Sequence, residues 1–298
     1  MDQLSWEKFF EKSSKLSSAP NIVEDFNRLI AHTKNFFVIS GYGAFTPGYL
    51  IIITKEFIPS FAIIDKDQIT ELKILIDFLK KFIEDNYNRK SILFEHGMCA
   101  CVGGLDRAHL HLMSIPLETT KKSLNQSINN TLENRKAGIN HIYYNNYKLE
   151  NKHDIETILN IVKNNKSEKK KLKISGKIFK KKDIQNLNYK DWPLVASKHV
   201  RKGGHYVYFN SEIQDASFLT TKNFQTQMGR EIVYRNEILV NKEFFNKMKD
   251  TKFFEEPWKW QNQLFEKNIL NTIKLARTKL KLIFKNQKLF NNLKIEIL

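Results

Sequence analysis

The residues best equipped for chemistry are two histidines one residue apart. His109 and His111 sit within Leu105-Asp-Arg-Ala-His-Leu-His-Leu-Met-Ser-Ile-Pro116. In an extended strand, residues two apart share a face, so Arg107, His109 and His111 line one side. Ala108, Leu110 and Leu112 line the other, apolar side. A neutral imidazole titrates near pH 6.5 and can attack phosphorus directly at neutral pH. Attack on the α-phosphate of a nucleotide gives a nucleotidyl-histidine, which water or another acceptor then resolves. Such a step needs cations or backbone N–H groups around the phosphate oxygens. Arg107 offers a fixed cation, and Gly97, Gly103 and Gly104 let the preceding loop approach a phosphate closely. His96 either binds phosphate or orients its neighbour.

Other chemistry competes for the same residues. An H-x-H pair on a strand also serves structural and metal sites. His96, Cys99 and Cys101 lie close before His109 and His111, and zinc takes both ligand types. The H-x2-C-x-C spacing is unusual for a closed zinc site, so a zinc-binding structural module is the weaker alternative, and no metal or cofactor is assigned. Cys99 and Cys101 are too close for a structural disulfide and too close for a CxxC redox pair. A reducing, cytoplasmic setting follows as the expectation.

The elements that must hold the histidine strand can be read from periodicity. Amphipathic helices are expected over residues 3–15 and 21–32. Asn35–Ser40 and Tyr49–Thr54 read as an antiparallel strand pair joined by the Gly- and Pro-containing loop between them. A helix over 67–87 carries a stripe of Leu72, Leu75, Ile76, Phe78, Leu79 and Phe82. Ser91–Glu95 is a further strand. Residues 119–135 are polar and helical in pattern, and 151–190 are dense in lysine. His205–Phe209 alternates like a strand. A helix over 223–240 carries Gln227 and Arg230, whose spacing of three puts them on one face. Arg230 either reaches a substrate phosphate or forms an ion pair with Glu237 or Glu95. Pro257-Trp-Lys-Trp260 leads into a last helix ending near 287, and Trp258 and Trp260 read as packing residues.

Charge and size bound the partners. The chain has 298 residues and a formal net charge of +17, which favours a polyanion such as a nucleotide or nucleic acid. Its wealth of Lys, Asn, Ile and Phe also fits an A+T-rich coding sequence, in which case the charge is solvated surface. The lysine-rich segment lacks interleaved aromatics, and a like-charge run is usually solvated. The polar, acidic start Met1-Asp-Gln-Leu-Ser-Trp-Glu does not read as a secretory signal. No apolar run approaches the length of about 18 residues that a membrane span needs.

Several segments together resemble the histidine triad (HIT-like) superfamily of nucleotide hydrolases and transferases. Phe36-Phe-Val-Ile-Ser40 and Pro47-Gly-Tyr-Leu-Ile-Ile-Ile-Thr-Lys-Glu-Phe-Ile-Pro59 are similar to its opening strand pair. Phe94-Glu-His-Gly97 and Asp106-Arg-Ala-His-Leu-His-Leu112 resemble the EHG and DHAHLH segments of a larger-chain subgroup. Thr226-Gln-Met-Gly-Arg230 and Trp258-Lys-Trp260 look like that subgroup's C-terminal S-Q-x-x-R and tryptophan motifs. The resemblance covers residues 34–118 well and 203–262 loosely, and it leaves out the lysine-rich region. By position it implies His109 as nucleophile and His111 as the residue that binds and orients phosphate. Arg107 stands where the family's first histidine would be, and Tyr49 where a histidine is common. The transferase branch's H-x-H-x-Q frame would instead make His111 the nucleophile, with Met113 in place of Gln.

The fold expected is α+β: an antiparallel sheet of about five strands with a packed helix, plus a C-terminal α/β extension. The expected divisions are an N-terminal helical segment (1–33), a HIT-like core (34–118), a lysine-rich insertion (119–200) and a covering extension (201–298). The implied function is a nucleotide hydrolase or nucleotidyltransferase, with dinucleoside polyphosphates as first substrates. Catalysis is assigned to His109 and His111, and phosphate binding to Arg107, His96, Gly97, Gly104, Gln227 and Arg230. The competing reading is a nucleotide- or nucleic-acid-binding protein weakened in catalysis. The oligomeric state stays open: small family members are dimers, so a homodimer is one option, and the other is that the extra C-terminal residues bury that face within one chain.

Overall fold

The histidine strand is the middle strand of the sheet it belongs to. The structure, a computed structural model, describes residues 28–56, 58, 60–61, 64–97, 107–134, 140–143, 206–211, 213, 217–220, 227–249, 256–260, 262–286 and 295–298. Its strands are β1 (Leu29–His32), β2 (Phe36–Ser40), β3 (Leu50–Thr54), β4 (Lys90–Gly97), β5 (His109–Ile115), β6 (Asn140–Tyr143), β7 (Tyr206–Ser211), β8 (Ser217–Thr220) and β9 (Glu296–Ile297). They form one sheet in the order β6-β8-β7-β4-β5-β3-β2-β1-β9. Every neighbouring pair is antiparallel. The protein is therefore α+β.

β5 is buried along its whole length because helices cover both faces of the sheet. On one face, Leu110 and Leu112 join Leu50, Ile52, Val38 and Leu93 under helix α1 (Lys66–Tyr87). That helix begins at a capping box. The Asp65 carboxylate accepts from the Gln68 N–H, and the Gln68 side chain accepts from the Asp65 N–H. It ends at Asn88, whose left-handed φ of 51° lets the chain turn straight into β4. Along the helix, Leu72, Leu75, Leu79, Phe82 and Ile83 are buried against the sheet, each worth about 1.5–3 kcal/mol of transfer free energy.

The opposite face carries the histidines. There Met113 and Ile115 join Ile51, Ile53, Ile92, Phe94, Val207 and Phe209. Helices α2 (Lys121–Asn134) and α3 (Met228–Val240) cover this face with Leu124, Ile128, Met228, Ile232 and Val233. A short helix α4 (Lys242–Lys249) follows and buries Met248. The last helix, α5 (Glu266–Asn286), serves both layers: Ile269 and Ile273 enter this core, and Ala276 and Leu280 enter the other. Arg277 donates to the Leu29 carbonyl, and β9 then pairs with β1.

Some expectations need correction. The sheet has nine strands among the described residues, not about five. The C-terminal residues add to the same sheet, with β7 beside β4 and β9 beside β1. A helix over 21–32 is excluded at its end, because Leu29–His32 is a strand. Leu29 faces one core while Ile30 and Ala31 face the other, and pairing with β2 and β9 outweighs the helical pattern. The helix expected from 223 begins at Met228 among the described residues. The expected helix at 3–15 and the lysine-dense 151–190 lie outside the described residues. No described helix is long and apolar enough to cross a membrane.

Candidate functional site

Register sets the site. Across the sheet, Phe209 lies opposite Phe94, Phe94 opposite His111, His111 opposite Ile51, and Ile51 opposite Ile39. His109 lies opposite Ile53. The two imidazoles thus rise from an apolar floor, with ring centroids 5.0 Å apart at 72°. His111 is stacked on Phe94 at 4.4 Å and 10°. The Tyr49 ring lies nearly parallel to it at 5.8 Å. His96 approaches to 6.2 Å. His109 and His111 are only 7% and 9% exposed.

Hydrogen bonding assigns the protons. Nδ1 of His109 lies 3.0 Å from the Arg107 carbonyl, which can only accept, so Nδ1 carries the hydrogen. A neutral His109 then presents a lone pair at Nε2. Burial lowers its pKa, opposed by the bond to the Arg107 carbonyl, so the neutral form holds at pH 7. The pKa of His111 is pushed well below the ordinary value, first by burial and then by His109, His96 and Arg230. Its Nδ1 lies 2.5 Å from the Tyr49 hydroxyl. The floor under these rings depends on two glycines. A Cβ on Gly41 would stand 2.1 Å from the Tyr49 ring, and one on Gly229 would stand 2.3 Å from the Phe94 ring.

The residues expected to hold phosphate have other partners. Arg230 is 3% exposed. It donates from Nε to the Trp258 carbonyl at 2.5 Å, from Nη1 to Tyr42 at 2.8 Å and from Nη2 to Gly43 at 2.6 Å. It forms neither expected ion pair: Glu237 pairs with Arg89, and Glu95 accepts from the Phe61 N–H at 2.7 Å. Arg230 is a clamp that ties α3 to the 42–43 loop and the tryptophan segment. Gln227 has a left-handed φ of 63° and precedes the helix, so it does not share a helical face with Arg230. Its side chain accepts from the Trp260 N–H at 2.7 Å. His96 accepts at Nε2 from the Gly229 N–H at 3.1 Å, so it orients the start of α3. Arg107 is buried just before β5, and its guanidinium donates to the Lys55 carbonyl. Gly97 closes β4, while Gly103, Gly104, Cys99 and Cys101 lie outside the described residues.

Among the described residues, no group of three or more His, Cys, Asp or Glu side chains is arranged to hold a metal ion. Trp258 packs beside Tyr234 at 5.5 Å, a core role. In the sequence, Phe94 and Gly229 stand inside motif segments with no role of their own, and Tyr49 stands only as a departure from a family pattern. Period-2 alternation was the available signal: Tyr49 is in phase with Ile51 and Ile53, and Phe94 with Ile92. No protein-family model matches the chain, and no curated protein is significantly similar to it in sequence.

Proposed function

We propose that the protein is a HIT-like nucleotide hydrolase or nucleotidyltransferase that works through a His109-nucleotidyl intermediate. The observation that carries this reading is the Nδ1–H of His109 bonded to the Arg107 carbonyl. That bond fixes the ring and leaves the Nε2 lone pair as the nucleophile. In the first step, the Nε2–P bond forms as the P–O bond to the leaving group breaks, and the electron pair stays on the leaving oxygen. In the second, water or an acceptor hydroxyl attacks the same phosphorus, loses its proton and returns the pair to Nε2. His111 supports the phosphate oxygens. No side chain needs to be charged for attack, which suits a ring whose pKa burial depresses.

A second reading also has a specific observation behind it. Arg107, Arg230, Gln227 and His96 all bond backbone groups of the protein itself. A chain that binds a nucleotide or nucleic acid without turning it over would keep the same fold and spend these residues in this way. One experiment separates the two. Wild-type protein and His109→Ala are incubated with dinucleoside polyphosphates and nucleotide sugars, and products are resolved by chromatography. Release of a nucleoside monophosphate by wild type alone supports catalysis. Retained nucleotide binding with no turnover by either protein refutes it for these substrates.

A further inference from the structure

The rings around His111 point to a positioning residue besides the two histidines. We propose that Tyr49 holds His111 with its proton on Nε2, by donating its hydroxyl hydrogen to Nδ1. His111 then presents a hydrogen-bond donor to the phosphate oxygens of a substrate poised at His109. The donor's purpose rests on the nucleotidyl-transfer reading above, whereas the tautomer itself does not.

One observation fixes the direction of the bond, and two confine the rings that make it. The Arg230 guanidinium lies over the Tyr49 ring, 5.1 Å from its centroid, and can only donate, so it offers the hydroxyl no acceptor. Nδ1 of His111 lies 2.5 Å from the hydroxyl oxygen. If Nδ1 carried the hydrogen, Oη would accept from it, and its own hydrogen would have no acceptor among the described residues. An unsatisfied buried hydroxyl costs about 1–3 kcal/mol, so the Tyr49 hydroxyl donates to His111. Second, the plane of the His111 ring is held. Phe94 is stacked on it at 4.4 Å, and the Tyr49 ring covers it at 5.8 Å. Third, Tyr49 is itself confined. It is fully buried one residue before β3, in phase with Ile51 and Ile53, and only hydrogen at Gly41 fits beside its ring. Burial raises the phenol pKa, so the hydroxyl keeps its hydrogen.

The two imidazoles therefore have opposite tautomers for opposite tasks. His109, bonded through Nδ1–H to a carbonyl, offers a lone pair at Nε2. His111, accepting at Nδ1 from a phenol, offers N–H at Nε2. A His111 lone pair facing a phosphate oxygen would repel it, and Tyr49 removes that arrangement.

Long-range proton–nitrogen NMR spectra of the uniformly nitrogen-labelled full chain test this directly at pH 7.5. In wild type, His111 is expected to show protonated Nε2 and bare Nδ1, with the reverse at His109. In Tyr49→Phe, the His111 nitrogens move towards a tautomer mixture while His109 stays put. On any substrate that wild type turns over, kcat falls about 10- to 100-fold in Tyr49→Phe, with KM changed far less, as expected for one lost charge-assisted bond. A wild-type spectrum with His111 protonated at Nδ1 overturns the proposal, and so do unchanged His111 shifts in Tyr49→Phe. If that variant does not fold, the wild-type spectrum decides alone. The expected spectra without turnover would uphold the positioning role of Tyr49 and refute the transfer reading.

Discussion

Gly229→Ala sets two known effects against each other at the point where α3 meets the histidine face. In an ordinary helix the change stabilises, because alanine is favoured over glycine by about 0.5–1 kcal/mol. Here the added Cβ would lie 2.3 Å from Cδ2 and 2.5 Å from Cε2 of Phe94. Carbon atoms settle at about 3.5–4.0 Å, so the ring or the helix must move by more than 1 Å. The ring has little room to do so. It is fully buried, stacked on His111 at 4.4 Å and tilted against Phe209 at 5.7 Å. If the helix lifts instead, the 3.1 Å bond from the Gly229 N–H to His96 lengthens. Overpacking of this kind costs about 1–3 kcal/mol. We expect a net destabilisation of about 1–2 kcal/mol, a fall of several degrees in Tm, since about 2–4 °C per kcal/mol is usual for a large domain. Urea unfolding of wild type, Gly229→Ala, Phe94→Leu and the double variant measures it. The smaller side chain makes room for the Cβ, so the double variant should lose at least 0.5 kcal/mol less than the sum of the singles. A Gly229→Ala protein as stable as wild type, or strictly additive losses, would refute the close packing of α3 on Phe94.

Arg230→Met should destabilise by more than about 3 kcal/mol in the same unfolding assay, because the carbonyls of Tyr42, Gly43 and Trp258 lose their donors in a buried setting. Arg230→Lys should recover only part of this, since an ammonium cannot match the planar fork; full recovery would show that charge alone matters. Stability should also fall with acidification. His109 and His111 have folded pKa values below the unfolded value, mainly through burial. Unfolding therefore takes up protons, and stability present above about pH 6.5 is lost as pH falls below it. Each histidine contributes a slope of up to about 1.4 kcal/mol per pH unit. Denaturation at pH 7.5 and 5.5 checks this, and an unchanged slope in a His109→Gln, His111→Gln double variant would refute the assignment.

The histidine strand and its two faces were legible from the sequence. Alternation from His109 to Ile115 puts the imidazoles and the leucines on opposite sides, and the stripe of α1 shows what covers the leucines. Such periodicities are local, so they survive without knowledge of partners. Strand count was less legible. β6 and β8 are four-residue segments and β9 two, too short for an alternating pattern to register, and only pairing makes them strands. Leu29–His32 looked helical and became β1 for the same reason.

The sequence by itself determined which residues could do chemistry: two imidazoles in phase on a strand, with cations and glycines around them. Only the tertiary structure decided how those residues are used. It committed Arg230, Gln227 and His96 to holding α3 and the tryptophan segment in place. It also brought Tyr49, sixty-two positions away, against His111. The physical reason is that side-chain hydrogen bonds depend on distances and angles between strands and helices remote in sequence. Residue spacing fixes a face, but it does not fix which donor meets which acceptor across the sheet.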